Sequence, residues 1–374
     1  MRRLLLVAGW PYIKLSLLLL AWLAPPHRLP PRRRGQLLTL LHDCGKWSIV
    51  DVSVLQLLAV AFRFELALPA HWLGGLSAAK LDVYVRPERG LYNLAAANVI
   101  ENLVSHAALI VHRVLQLRAR ARGAAAENVR PAAGQSAPVE SLLRAAALEG
   151  RRKRTLALIA IGAVPISAAL TVLGARAEIV RFRFEGLARA VLSEDQRVRS
   201  MSLLDVGAAL PGAIFVSGAS SAVELAGTRF VTALFWIFHL AMPLALAPML
   251  AALWLLPLSL RTQRALYTAA SMANAWSALD VFVLAVIAAV SEMEHFVAFV
   301  LRGRCDTLDA LVAEYLLPLV EGDARCFGVT ATLGAGCWIS FAAVGVSLAS
   351  GSFALSRAAA ALDRRQQLAD AARV

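Results

Sequence analysis

The stretch Trp276-Ser277-Ala278-Leu279-Asp280-Val281-Phe282 decides the reading of this chain, because a shorter copy, Trp47-Ser48-Ile49-Val50-Asp51-Val52, stands near its other end. Each copy opens a long apolar run, and W-S-x-x-D-V joins residue types that composition alone seldom aligns. The copies agree upstream too: Pro11 precedes the first and Pro243 the second, each inside an apolar segment that a basic link follows. Internal similarity of this kind marks a duplicated unit. The chain therefore reads as two related halves.

Of its 374 residues, 59% are hydrophobic and 17% are charged, where a soluble domain carries about a quarter charged residues. With a mean hydropathy of +0.64, the chain reads as an all-α, multispanning integral membrane protein. Its net charge of +13 gathers in short links between apolar runs, where orientation in a bilayer calls for it, so no nucleic-acid partner is expected. The four cysteines, Cys44, Cys305, Cys326 and Cys337, form no C-x-x-C, and no zinc ribbon or dithiol site is encoded. There is no G-x-S-x-G and no H-E-x-x-H, so no catalytic residue, metal ligand or enzyme activity is expected. His106, His112, His239 and His295 lie in or beside spans without a visible pairing for haem, and no cofactor is expected.

Taken in order, residues 1–112 form a first membrane module of three spans, opening at Leu4, Trp47 and Leu91. Met1-Arg2-Arg3 and the leucines after it resemble a signal peptide, but Pro11 and Lys14 interrupt the apolar region, and a retained helix is expected. Residues 113–155 are a basic connector, expected to be cytosolic and mobile, with ten basic residues against three acids. Residues 156–350 hold four spans, opening at Leu156, Phe230, Trp276 and Phe327, and residues 351–374 are a basic cytosolic tail. Outside the membrane, Val180-Arg181-Phe182-Arg183-Phe184 alternates as a half-buried strand does. About seven spans result, three plus four. With the tail inside, Met1-Arg2-Arg3 falls outside against the charge rule. The simplest account is that the first module lacks its first helix.

Two readings of the motif stand side by side. At the cytosolic start of an outward helix, Trp47 and Trp276 suit the interfacial belt, while Ser48 or Ser277 with Asp51 or Asp280 suits a capping-box-like helix start. Alternatively, the two aspartates face a polar cavity between the modules. On the Leu91 helix, Asn98, Glu101, Asn102, Ser105 and His106 recur at separations of three and four, which puts them on one side. That side either binds neighbouring helices or lines a pathway. Cys305 and Cys326 bound an outer loop and are expected to pair in an oxidising compartment, while Cys337 is expected to be a packing residue.

Trp10-Pro11-Tyr12-Ile13-Lys14-Leu15 before the first basic link, Trp47-Ser48 with Asp51-Val52, and Trp276-Ser277 with Asp280-Val281-Phe282 resemble the paraquat-inducible protein A family. Bacterial members of that family have two modules of four spans and a cytosolic C-x-x-C zinc ribbon before a module; the ribbon cysteines are absent here. The resemblance implies membrane lipids as partners, together with mammalian-cell-entry-type proteins that shuttle lipid between membranes. The expectation is thus a non-enzymatic, multi-pass protein of lipid transport or membrane homeostasis, with a groove between modules as the path. An ion- or proton-coupled small-solute carrier using Asp51, Asp280 and Glu101 is the alternative.

Overall fold

The computed structural model describes residues 2–68, 79–83, 89–126, 140–144, 151–186, 189, 192, 197–214, 222–301 and 327–371. The expected disulfide partners Cys305 and Cys326 lie outside the described residues. The first half comprises α1 (Arg2–Leu23), α2 (Pro31–Asp43), a 3-10 turn (Gly45–Ile49), α3 (Val50–Ala61), the paired strands β1 (Phe64–Leu68) and β2 (Ala79–Val83), and α4 (Arg89–Ala126). The second half opens with α5 (Arg151–Arg176), β3 (Glu178–Glu185), β4 (Val198–Ser202) and α6 (Leu203–Ile214). It continues through α7 (Ala222–Trp236), a π turn (Ile237–Ala241) and α8 (Met242–Leu255) to α9 (Leu260–Trp276), α10 (Leu279–Leu301), β5 (Gly328–Leu333) and α11 (Ala335–Ala371).

Among the described residues, five helical segments are long and apolar enough to cross a membrane: Pro31–Ala61, Arg89–Gln116, Ala222–Leu255, Leu260–Ala298 and Ala335–Leu368. Shorter apolar helices cover Gly9–Leu23, Ile161–Arg176 and Leu203–Ala213. Large apolar side chains such as Tyr12, Leu19, Ile100, Ile159, Trp338 and Phe341 point outward, as a lipid-facing surface requires. The chain is a helical, multi-pass integral membrane protein.

Both basic links prove to be helical. Proline at the first position of α2 suits a helix start, because the missing N–H is one the first turn leaves unpaired anyway. Leu38 and Leu41 then bury one side of α2 while its arginines stay at the surface or partly covered. In α9, Ser259 caps the start by accepting from the Thr262 N–H. α2 stops at Asp43 and the 3-10 turn carries Trp47-Ser48, while α9 ends at Trp276, so the motif marks a break between two helices and not the opening of a span from a loop.

The core lies where the two halves meet. α3 packs against α10, and the main cluster runs from Val52 and Leu57 on α3 to Val281, Phe282 and Val286 on α10. Pro243 shapes the neighbouring span. It has no N–H to offer, and its ring crowds the carbonyl one turn back. The helix answers with the π turn, in which the Met242 N–H reaches the Ile237 carbonyl. That leaves the Phe238 carbonyl free, and it accepts the N–H of Ala278 inside the second motif at 3.0 Å. The proline therefore fixes where α10 begins.

A three-stranded antiparallel sheet, ordered β4-β3-β5, closes one end of the bundle. The strand expected at Val180–Phe184 is β3, with Phe182 and Phe184 inward and Arg181 and Arg183 outward. Arg199 on β4 donates to the carbonyls of Val60 and Arg63, satisfying the last turn of α3. On the exposed face, hydrogen bonds from Arg181 hold the Glu178 carboxyl below its usual range. At the other end of the bundle, the Glu140 carbonyl accepts from Gln263 on α9 and Arg365 on α11. This part of the expected mobile connector is docked, and α4 continues to Ala126, beyond the boundary expected at residue 112.

Candidate functional site

The expected site residues separate into two groups. On α4, Asn98, Glu101, Asn102 and His106 turn inward and are tied within the first half. Asn98 donates to the Ser48 carbonyl at 2.6 Å, and His106 meets His42 of α2, Nδ1 to Nδ1, at 3.5 Å. Lys14 on α1 is fully buried; its ammonium lies 3.4 Å from Glu101 and donates to Asn102 at 2.8 Å. These bonds hold α1, α2 and α4 together. Ser105 is buried and its hydroxyl has no partner among the described residues.

At the first motif, Ser48 is buried but its hydroxyl caps nothing, Trp47 is exposed, and Asp51 sits half-buried in the first turn of α3. The capping-box expectation is not met there, because the 3-10 turn holds Ser48 away from the first N–H groups of α3. The second motif differs. The Trp276 ring packs on Phe238 with centroids 5.4 Å apart, Ser277 ends α9, and Asp280 enters a close ion pair. Its Oδ2 lies 2.6 Å from Nζ of Lys46, and each side chain is only 10% exposed. Lys46 stands immediately before Trp47, so the cation preceding the first motif serves the aspartate of the second. The equivalent place before Trp276 is Ala275, and among the described residues Asp51 has no such counterion.

This pair borders a cleft of about 310 Å³, whose other polar walls are Thr171 on α5, Asn274 and Ser277 at the end of α9, and Ser347 on α11. Pro243 and Ser347 also border a second cleft of about 230 Å³, whose other walls mix Val164, Leu246 and Leu250 with Ser167, Ser350 and Gly351. The two adjoin as one groove, charged at the ion pair and lined by serines and aliphatic side chains beyond it. A third cleft of about 260 Å³ lies between the halves, where Gln56 and Asn98 meet His239. Nδ1–H of His239 donates to the Phe235 carbonyl at 2.9 Å, leaving Nε2 to accept from Ser53 at 3.2 Å. Of the polar α4 residues, Asn98 alone lines any of these three clefts. Among the described residues, no three metal-ligating side chains come together.

Sequence reasoning reached Ser277 and Asp280 but missed Lys46, Thr171, Asn274 and Ser347. The one local signal was the position of Lys46 beside Trp47; the hydroxyl residues look like ordinary packing residues in apolar helices. Compared with protein-family models, curated proteins and solved structures, nothing matches the chain. Fold and groove together define it as a multi-pass helical membrane protein with a groove whose charged end is built by residues of both halves.

Proposed function

We propose that this is a non-enzymatic protein of the paraquat-inducible protein A type that assists lipid transport or membrane homeostasis, with seven spans in two related modules of three and four. The groove formed by α5, α8, α9, α10 and α11 with Lys46 holds the lipid, and a lipid-shuttling partner protein delivers or receives it. What supports this reading is that a charged, hydroxyl-lined cleft adjoins one whose walls include Val164, Leu246, Ala247 and Leu250 beside its serines, which suits the headgroup and the adjoining chain segments of an amphipathic lipid. A polar cleft alone would suit a small solute equally well.

The test is transfer of fluorescent lipid between liposomes carrying the purified chain. Ser347→Leu, which fills the junction of the two clefts, is expected to slow transfer about tenfold, equivalent to about 1.4 kcal/mol, without changing helix content. Undiminished transfer by this variant would remove the groove from the path. If uptake of a small solute follows a pH gradient and Asp280→Asn abolishes it, the chain is a coupled carrier and not a lipid protein.

A further inference from the structure

We infer that the cleft at Lys46 and Asp280 selects a zwitterionic headgroup that combines a primary ammonium with a phosphate diester. The inference rests on the lipid-handling reading and adds the headgroup class. Three observations carry it. The first is an acceptor left open: Oδ1 of Asp280 is buried without a hydrogen-bond partner, although Oδ2 is held by Lys46. Leaving a buried acceptor unpaired is costly, so the site is complementary to a group that donates N–H or O–H bonds. Lys46 presents the opposite need. An ammonium has three donors; among the described residues its one ion-pair partner is Asp280, with the Asp43 carboxyl near enough to feel its charge.

The second observation is charge balance. The ion pair is neutral as a whole and nine-tenths buried. A ligand with net charge would leave one charge uncompensated in a poorly screened place. A zwitterion lying antiparallel to the pair leaves none, with its ammonium on Oδ1 of Asp280 and its phosphate on Lys46. Thr171, Asn274, Ser277 and Ser347 supply further hydrogen-bonding groups around the same space.

The third observation separates ammonium types. A quaternary ammonium has no N–H, and proteins recognise it with aromatic cages. Among the described residues, no aromatic side chain lines this cleft. A primary ammonium, as in an ethanolamine phospholipid, fits the acceptor that is present. The ammonium and phosphate engage the ion pair at this cleft, while the acyl chains continue past Pro243 and Ser347 along Val164, Leu246 and Leu250.

The experiment uses the full chain in detergent, titrated with dihexanoyl phosphatidylethanolamine, phosphatidylcholine and phosphatidylglycerol and read by native mass spectrometry. The ethanolamine lipid is expected to bind about tenfold more tightly than either of the others. In Asp280→Asn that margin over the choline lipid is expected to vanish, and Lys46→Asp combined with Asp280→Lys, which keeps a pair, is expected to restore part of it. Equal binding of the three lipids by the unaltered chain overturns headgroup selection and leaves lipid handling standing. Tighter binding of the glycerol lipid overturns it in favour of an anion site. Binding of none of the three overturns both readings. These comparisons on the unaltered chain need no variant to fold.

Discussion

Lys14→Met alone is expected to destabilise the protein by about 3–5 kcal/mol, the usual cost of removing one member of a buried ion pair. Lys14 is 0% exposed and Glu101 5%, so the carboxylate left behind could not recover its charge partner from water. Asn102 would lose its donor in the same step. Adding Glu101→Gln removes the stranded charge, and the double variant is expected to regain most of the loss, because replacing both members of a buried pair is often close to neutral. Unfolding midpoints in detergent for the four members of this cycle measure the coupling. If Lys14→Met melts with the parent, the pair does not hold α1 to α4. The same cycle distinguishes the two roles weighed for the polar side of α4: coupling in stability without any change in lipid transfer marks packing.

The second large effect concerns the junction of α5 and α11, which pack closely side by side. A Cβ placed on Gly174 would stand 3.0 Å from the backbone nitrogen and 3.2 Å from Cα of Ser340, and closer still to its hydroxyl. Backbone atoms cannot step aside as a long side chain can. Gly174→Leu is therefore expected to cost at least the roughly 1–3 kcal/mol typical of overpacking. It should also reduce lipid transfer, since these two helices form one side of the groove. Gly162 in the same helix is the matched control. A Cβ there meets nothing within 4 Å, and leucine improves helix propensity by up to about 1 kcal/mol. Gly162→Leu is expected to be neutral or slightly stabilising. Equal losses at the two positions would show that the leucine itself, and not the close approach, is responsible.

Much of the architecture is legible because bilayer solvation acts on local composition. Apolar runs locate the spans, and strict alternation at Val180–Phe184 reveals a strand between them. The link helices are harder to read: three arginines in Pro31–Asp43 resemble a solvated loop, although Leu38 and Leu41 recur at helical spacing and are buried. The neighbours of β3 are also obscure: β4 does not alternate clearly, and β5, though Val329-Thr330-Ala331-Thr332-Leu333 alternates, runs straight into the apolar start of α11. At the site, Asp280 announces itself through the repeat. Its counterion does not, because the partnership of residues 46 and 280 exists only after the two halves have packed. The groove is hidden for a related reason: Thr171, Asn274 and Ser347 come from three helices, and nothing in one helix reports what the others bring.

The pairing of Lys46 with Asp280 makes the two W-S-x-x-D-V motifs unequal. One brings the cation and the other the anion that needs it, a division of labour in which neither half alone assembles the groove's charged end. Expressed as separate polypeptides, the halves should recover that end only when made together, and a chain built from two second halves would carry two aspartates and no lysine between them.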